Sequence, residues 1–364
     1  MIYILYSADY ELFLGDNFYP EEAVLIEPTD RLLGVCEAIG IPMTLFCDVV
    51  CVWRYREHGL TAFPDLVDEQ LRNAIRRGHD VQAHIHPHWS YATQTGTQWC
   101  SLPEQFLLGR LSNDAHQCER IARDYFVKAA DYFHRLLCPV DPSYRCIAYR
   151  AGSYGVQPRD REIYGALEDA GYVIDSSIIP GFVMRGAFNE VDFRNAPVAA
   201  NYYLNRASGL SKSDTSGLFE IPIASTRQTK IDLIRYLAHK LREAVLIRLG
   251  QVRAEARKGI PIQAAFVNQG RLSRVLEKLK WLLEVGIAWL ELSTDDAAMI
   301  RTTRAYLQRV KTNDDIYFSF SCHPKSLDER HFLALERYHA QLRKIYGTDI
   351  QAITFQQAAA NVEP

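Results

Sequence analysis

The chain lacks several features that settle a protein's class at once. No stretch of about 18 uninterrupted apolar residues occurs in its 364 residues, so nothing reads as a membrane-spanning helix. Net charge is nearly absent: 41 Lys and Arg stand against 44 Asp and Glu, a formal -3, which argues against a protein built around phosphate backbones. The eight cysteines (36, 47, 51, 100, 118, 138, 146, 322) include no C-x-x-C pair, and Cys47 sits in the apolar run "MTLFCDVV". Scatter of that kind does not make a secreted disulfide framework; reduced thiols in a cytoplasmic protein are expected. Internal repeats and low-complexity tracts are missing. The opening "MIYILYSADYELFLGD" has no basic leader and meets Asp9 and Glu11 early, so a first strand is expected there rather than a signal peptide.

What is present is a globular alternation. With 48% hydrophobic and 23% charged residues, a substantial core can be buried. The runs "IYILYSA" (2–8), "PMTLFCDVV" (42–50), "DVQAHIH" (80–86), "RCIAYRA" (145–151) and "YVIDSSI" (172–178) read as strands. Helical spacing fills 30–40, 68–78, about 113–137 and 159–171. Strand, helix, strand in this rhythm implies parallel pairing through right-handed crossovers. Later strands are expected at 217–224, 286–294 and 316–323, with a long helix over 228–258. The polar segment 183–216 reads as an insertion or mobile loop. The expected architecture is one barrel-like α/β domain over 1–364, with an insertion or lid at about 183–275. Its chemistry should sit at the C-terminal ends of the strands.

Four of the eleven histidines fall within "GHDVQAHIHPHW": His79, His84, His86 and His88. Strand periodicity would place 84, 86 and 88 on one face; a helical turn would pair 84 with 88. Pro87 cannot donate to a ladder and suits the first turn of a helix. It therefore predicts a turn that folds His88 back towards His84, two imidazoles that make half of a zinc site. His79 begins the strand and is expected to be structural. Carboxylates to complete the site come from the first strand, where Asp9, Glu11 and Asp16 are candidates, although acids after a strand also cap loops. "AYRAGSYG" ends a strand at Arg150, followed by small residues whose N–H groups can face an oxyanion. Asp175 in "YVIDSSIIP" and His323 in "FSFSCHPKS" also end strands. Five incidental residues would have no reason to share that topological place.

This ordered set resembles the polysaccharide deacetylases, the NodB-homology group of carbohydrate esterases: an acidic first strand, G-H-x-x-x-x-H-x-x-x-H, an Arg-small-small turn, an Asp after "GY" and a last strand ending in His. The resemblance runs from residue 1 to about 326, poorly over 183–275. It implies a distorted (β/α)7 barrel, with an elaborated second half, and a metal-dependent N-deacetylase of acylated sugars. Carried over, His84 and His88 correspond to the metal histidines, Asp9 to the catalytic base and Arg150 to the residue that orients it. His323 corresponds to the general acid and Asp175 to the carboxylate that tunes it. Tyr10 stands where the family's second, metal-binding aspartate would be, so Glu11 is carried as the third ligand in a D-x-E variant. Ile85 replaces a Thr or Ser after the first metal histidine, and Ala151 and Gly152 replace prolines. The Ser153 N–H is the oxyanion donor implied, and His86 is left to line the sugar pocket with Tyr154.

The implied cofactor is a divalent metal, zinc first, and the implied partner an acylated sugar, polysaccharide, or lipid- or nucleotide-linked glycan. No nucleic-acid partner is expected. Trp53, Trp89, Tyr91 and Trp99 lie near the proposed site and offer faces for sugar rings, although Trp more often packs half-buried. The segment 227–258 carries nine Lys or Arg against three acids beside an apolar stripe. It suits an anionic membrane surface or, more blandly, a lid helix with a solvated basic face. Two other classes stay open: a glycosidase using Asp9 and Glu11 as paired carboxylates, and a non-catalytic sugar-binding barrel. The substitution at Tyr10 supports the latter, and His323, which a binder would not need, opposes it.

Overall fold

The first strand sets the frame. Its alternation sends Leu5, Ser7 and Asp9 to one face and Ile4, Tyr6, Ala8 and Tyr10 to the other. The computed structural model describes every residue except 16, 96–97, 187, 214–215, 251–257, 260–285 and 363–364. Strand β1 (Ile2–Tyr10) lies inside a nine-stranded sheet with β2 (Thr44–Asp48), β3 (Asp80–Ile85), β4 (Ala148–Ala151), β5 (Ile174–Asp175), β6 (Tyr202–Leu204), β7 (Leu218–Glu220), β8 (Ile316–Phe320) and β9 (Ile350–Ala352). The order is β6-β7-β5-β4-β3-β2-β1-β8, with β9 also on β1. All pairings are parallel except β6 on β7.

The sheet curls. Beyond β7, the Ala224 N–H donates to Ser319 O at 3.2 Å and the Ser319 N–H to Pro222 O at 2.9 Å, which stitches the far end of the sheet against β8. Helices α1 (Glu27–Ala38) and α2 (Val49–Glu57) flank β2, and the helices that follow β2 and β4 carry an apolar stripe. In α3 (Ala62–Arg76), Phe63, Val67, Leu71 and Ala74 are buried at helical spacing, and Gly78 at φ 80° ends the element where an L side chain would be strained. In α5 (Asp160–Asp169), Ile163, Tyr164, Ala166 and Leu167 are buried, and Gly171 plays the same terminating part. Helix α4 (Ala115–Leu137) is capped by Asp114, whose carboxylate accepts from the Gln117 N–H at 2.7 Å.

Two apolar clusters result. The larger fills the space between sheet and helices. The smaller lies inside the curl, where Leu5, Phe46, Ile174, Ile221 and Tyr317 meet Phe355 of the last helix (Phe355–Val362). Phe46 and Phe355 stand edge-to-face at 4.9 Å. Burying each of these side chains stabilises the inner plug by roughly 1.5–3 kcal/mol. One step further along each strand, the inward residue becomes polar. That switch makes a floor of hydrocarbon under a layer of charge.

Several expected elements differ. The segment 183–216 is not only loop: Val183–Arg185 pairs antiparallel with Glu190–Asp192, and β6 extends the sheet. The helix expected over 228–258 runs from Lys230 to Arg248, and residues 251–257 lie outside the described residues. The last part of the expected lid, 260–275, and the candidate Asp16 also lie outside them. All eight cysteines are free thiols. Among the described residues, no helix is long and apolar enough to cross a membrane.

Candidate metal centre

Strand alternation decides which residues reach the inside of the curl. From β1 it delivers Ser7, Asp9 and then Glu11. The alternate Tyr10 turns outward, where its hydroxyl donates to Gln70 Oε1 at 2.8 Å. From β3 it delivers Gln82 and His84. The backbone stays extended through His86 (φ −108°, ψ 95°), so His86 joins His84, and only at Pro87 does a short 3-10 turn begin.

The expected turn that would bring His88 to His84 therefore starts one residue too late. Glu11, His84 and His86 form the cluster, their donor atoms all within 4.8 Å of one another. Glu11 Oε2 lies 3.3 Å from His84 Nε2 and 2.5 Å from His86 Nε2. His88 is instead stacked on Phe106, centroids 4.4 Å apart and planes at 14°. Burial and the neighbouring His86 drive its imidazolium form well below the ordinary histidine range. It packs rather than ligates. His79 immediately precedes β3, and its Nδ1 accepts from the Met43 N–H at 3.1 Å, away from the cluster.

The cluster's neighbours fix its protonation. His84 Nδ1 is 2.8 Å from the Arg150 carbonyl oxygen. A carbonyl can only accept, so Nδ1 carries a proton and Nε2 is the ring atom turned to the centre. Lys325 Nζ donates to Glu11 Oε1 at 2.6 Å and to Leu12 O at 2.9 Å. Burial alone raises the Glu11 carboxyl, but Lys325, His86 and His84 outweigh it and hold it well below its usual range. Asp48 closes the far wall. Its Oδ1 accepts from the His86 N–H at 3.3 Å, its Oδ2 is buried without a hydrogen bond, and burial raises it to about 6.

Arg150 is fully buried, and all five of its N–H groups are used. Nη1 donates to Asp9 Oδ1 and Ser7 Oγ, each at 2.8 Å. Nε donates to Ser176 O at 3.0 Å, and Nη2 to Ser176 Oγ at 3.1 Å and Ser319 Oγ at 2.7 Å. The guanidinium lies 4.3 Å above the Phe46 ring. Burial alone would raise Asp9, yet Arg150, His84 and His323 hold it below its ordinary value. Asp9 is thus an oriented, ionised carboxylate.

His323 faces it. Nε2 lies 3.6 Å from Asp9 Oδ2 and 3.8 Å from Glu11 Oε1, and Nδ1 is 3.0 Å from Glu291 Oε1. Burial lowers its proton affinity, but the hydrogen bond to Glu291 and the surrounding carboxylates outweigh that and raise it. The carboxylate partner of His323 is therefore Glu291 and not Asp175. Asp175 sits across from Tyr149 and Glu220 in register, on the outer face, while Arg150 and Ser176 point in. A one-residue step along a strand separates the two faces.

The turn after Arg150 is tight. A Cβ on Gly152 would stand 2.5 Å from Ile85 O and 2.8 Å from His86 Nδ1. Ser153 and Tyr154 follow at φ 54° and 59°, two successive non-glycine residues in the left-handed region. Strain of about 1–3 kcal/mol per residue is the kind that accumulates at functional sites. Ser153, Tyr154 and His323 are partly exposed, whereas Asp9, Glu11, His84 and His86 are buried. The centre thus opens past that turn. Trp89 is 2% exposed and packs among Tyr55, His88 and Trp99, so it presents no face to a sugar.

Asp48, Glu291 and Lys325 were not singled out in the sequence. Asp48 ends β2 in register with His84, and Lys325 follows "HP" directly, so both carried a positional signal. Glu291 carried only strand alternation.

No protein-family model matches the chain, and no curated protein sequence matches it. Among solved structures, it is similar to a polysaccharide deacetylase candidate from Mycobacterium smegmatis, at 15% identity and TM-score 0.44, covering 99% of this chain and 90% of that one. An allantoinase stands at 12% identity and TM-score 0.44, covering 100% and 91%. A 4-alpha-glucanotransferase from Thermococcus litoralis gives 12% and 0.43, with 41% of that longer chain covered. Likeness of this degree decides neither fold family nor activity, and the functional reading rests on the side chains.

Proposed function

We propose that the chain is a metal-dependent hydrolase that removes an N-acetyl or related acyl group from a sugar or glycoconjugate, and that seven parallel strands of its curled sheet, β1–β5, β7 and β8, correspond to the barrel of the polysaccharide deacetylases. The observation that carries the reading is one buried constellation. A carboxylate and two imidazoles with a metal's donor chemistry stand beside an Arg-oriented aspartate and a carboxylate-backed histidine.

The donor set fits a divalent ion such as zinc. Glu11, His84 and His86 would hold it, a carboxylate oxygen and two imidazole nitrogens being donor types that zinc takes. Three protein ligands leave a position for substrate or water, the arrangement of catalytic sites. A bound divalent ion supplies Lewis-acid polarisation of a carbonyl and lowers the pKa of water towards neutrality.

The chain's own residues do the rest. Arg150 holds Asp9 ionised and pointed at the centre, so Asp9 takes a proton from the attacking water. Glu291, at His323 Nδ1, favours the protonated imidazole, and the separate proton on Nε2, which faces the centre, goes to the departing amine nitrogen as its bond to the acyl carbon breaks. The Ser153 N–H faces the oxygen on which negative charge builds. Tyr154 borders the opening through which the acyl group enters, and the sugar remains outside the buried centre. Tyr10 does not argue for a binder without activity: it faces the opposite layer, and Glu11 provides the carboxylate.

Metal analysis of purified protein and acetate release from N-acetylated sugars test this directly. One equivalent of metal is expected, with chelator-sensitive acetate release. His86→Ala should lose metal, His88→Ala should keep it, and Asp9→Asn should keep metal while losing activity. Retained turnover in Asp9→Asn, or activity unaffected by chelator, overturns the reading.

A further inference from the structure

Helix α6 (Lys230–Arg248) is built the wrong way round for a helix packed on its own protein. Its body-facing side is polar. Asp232 lies 3.8 Å from Arg301, His239 Nε2 is 3.0 Å from Thr294 Oγ1, and Arg330 Nη1 donates to Glu243 Oε1 at 3.4 Å. At 100° per residue, these three positions share one face.

The opposite face is a stripe of Ile231, Ile234, Leu237, Leu241, Val245 and, just past the last turn, Leu249. Each is between 47% and 68% exposed. A scattered exposed leucine needs no explanation, but six on one continuous stripe do. Arg235 and Arg242 border the stripe along one flank, and Lys230 and Arg248 stand at its two ends, all exposed. Both acids of the helix, Asp232 and Glu243, are turned to the body, so the outward half of α6 carries cations and hydrocarbon only.

We propose that this face of α6 lies flat on an anionic lipid bilayer. The stripe would enter the acyl boundary while the flanking cations meet lipid phosphates. Arg235 already lies 3.5 Å from Asp232, but an apolar protein groove would leave Lys230, Arg242 and Arg248 unmet, so that charge arrangement selects a negatively charged membrane. The proposal is independent of the catalytic reading, because α6 contributes no residue to the metal centre.

Co-sedimentation of the full chain with vesicles tests it, comparing pure phosphatidylcholine with an equal mixture of phosphatidylcholine and phosphatidylglycerol. Binding is expected to the mixed vesicles, weakening as salt rises. Leu237→Asp with Leu241→Asp should abolish it, and both positions are exposed, so an unchanged thermal transition confirms that the variant folds. Replacing Arg235, Arg242 and Arg248 by Gln should weaken it by about tenfold or more. No preference for the anionic vesicles, or binding that survives the double Asp variant, overturns the proposal. So does a dimer in sedimentation velocity that the same variant dissolves without vesicle binding, which would assign the stripe to a second copy.

Discussion

Replacing Arg150 by Met tests the electrostatic design of the centre. Methionine fills much of the space but returns none of the five hydrogen bonds and leaves the Asp9 carboxylate buried beside no guanidinium. Removing one partner of a buried ion pair costs about 3–5 kcal/mol. The serines lose less. Ser7 Oγ still donates to Phe320 O, and Ser176 Oγ to Ile221 O, so each gives up an accepted bond worth about 0.5–1.5 kcal/mol. Asp9 limits the damage by binding a proton, at about 1.4 kcal/mol per pH unit below its new pKa. A loss of about 4–6 kcal/mol is expected near pH 7.5, a large share of the 5–15 kcal/mol typical of a domain.

Urea unfolding followed by tryptophan fluorescence measures it, in wild type and in an Asp9→Asn background. With the charge already gone, Arg150→Met should cost about 2–3 kcal/mol less there. In wild type the Asp9 carboxyl is depressed, so its stabilising contribution is present above the ordinary carboxylate range and lost below it. In the variant the buried, unpaired Asp9 carboxyl is raised by desolvation and takes up a proton as pH falls, so the deficit should shrink from pH 7 towards 4. A deficit below about 1 kcal/mol, or one unchanged by Asp9→Asn and by pH, would refute the argument that Arg150 neutralises Asp9.

The same geometry yields other outcomes. Gly152→Ala places a methyl against Ile85 O and His86 Nδ1 and should lower metal content and activity together, at a stability cost of about 1–3 kcal/mol; full metal occupancy would contradict the clash. Glu291→Gln removes the charge that raises His323. The pH above which activity declines should then move down, and an unmoved basic limb in the kcat profile would detach His323 from the acid role. Glu220 is raised well above its usual range by burial and by Asp175 beside it. A carboxyl raised in the folded state contributes stability below its unfolded pKa and loses it as pH climbs to the folded value. Glu220→Gln should flatten the decline of Tm between pH 5 and 9, and an identical slope in both proteins would place the pair's proton elsewhere.

Much of the centre was legible because each strand carries its own punctuation. Asp9, His84, Arg150 and His323 each close an apolar run, and a sequence that repeats polar residues at strand ends announces a site before any fold is known. The assignments that failed did so over single-residue steps. Pro87 suggests a bend at His86 that would return His88 to His84, whereas a proline's restriction on its predecessor favours extended backbone, which carries His86 inward. Asp175 ends a strand as expected, but its parity sends it to the helical layer with Glu220.

The alternation of strand and helix, the polar strand ends, and a basic, apolar segment in the second half are properties of neighbouring residues, so they stand in the sequence without any fold. Three further facts belong to the folded chain alone: Glu291 backs His323, Lys325 and Asp48 border Glu11 and His86, and the apolar stripe of α6 faces outward. They depend on strand parity at each curl position and on contacts between segments hundreds of residues apart, such as Lys325 on Glu11. No local pattern records them.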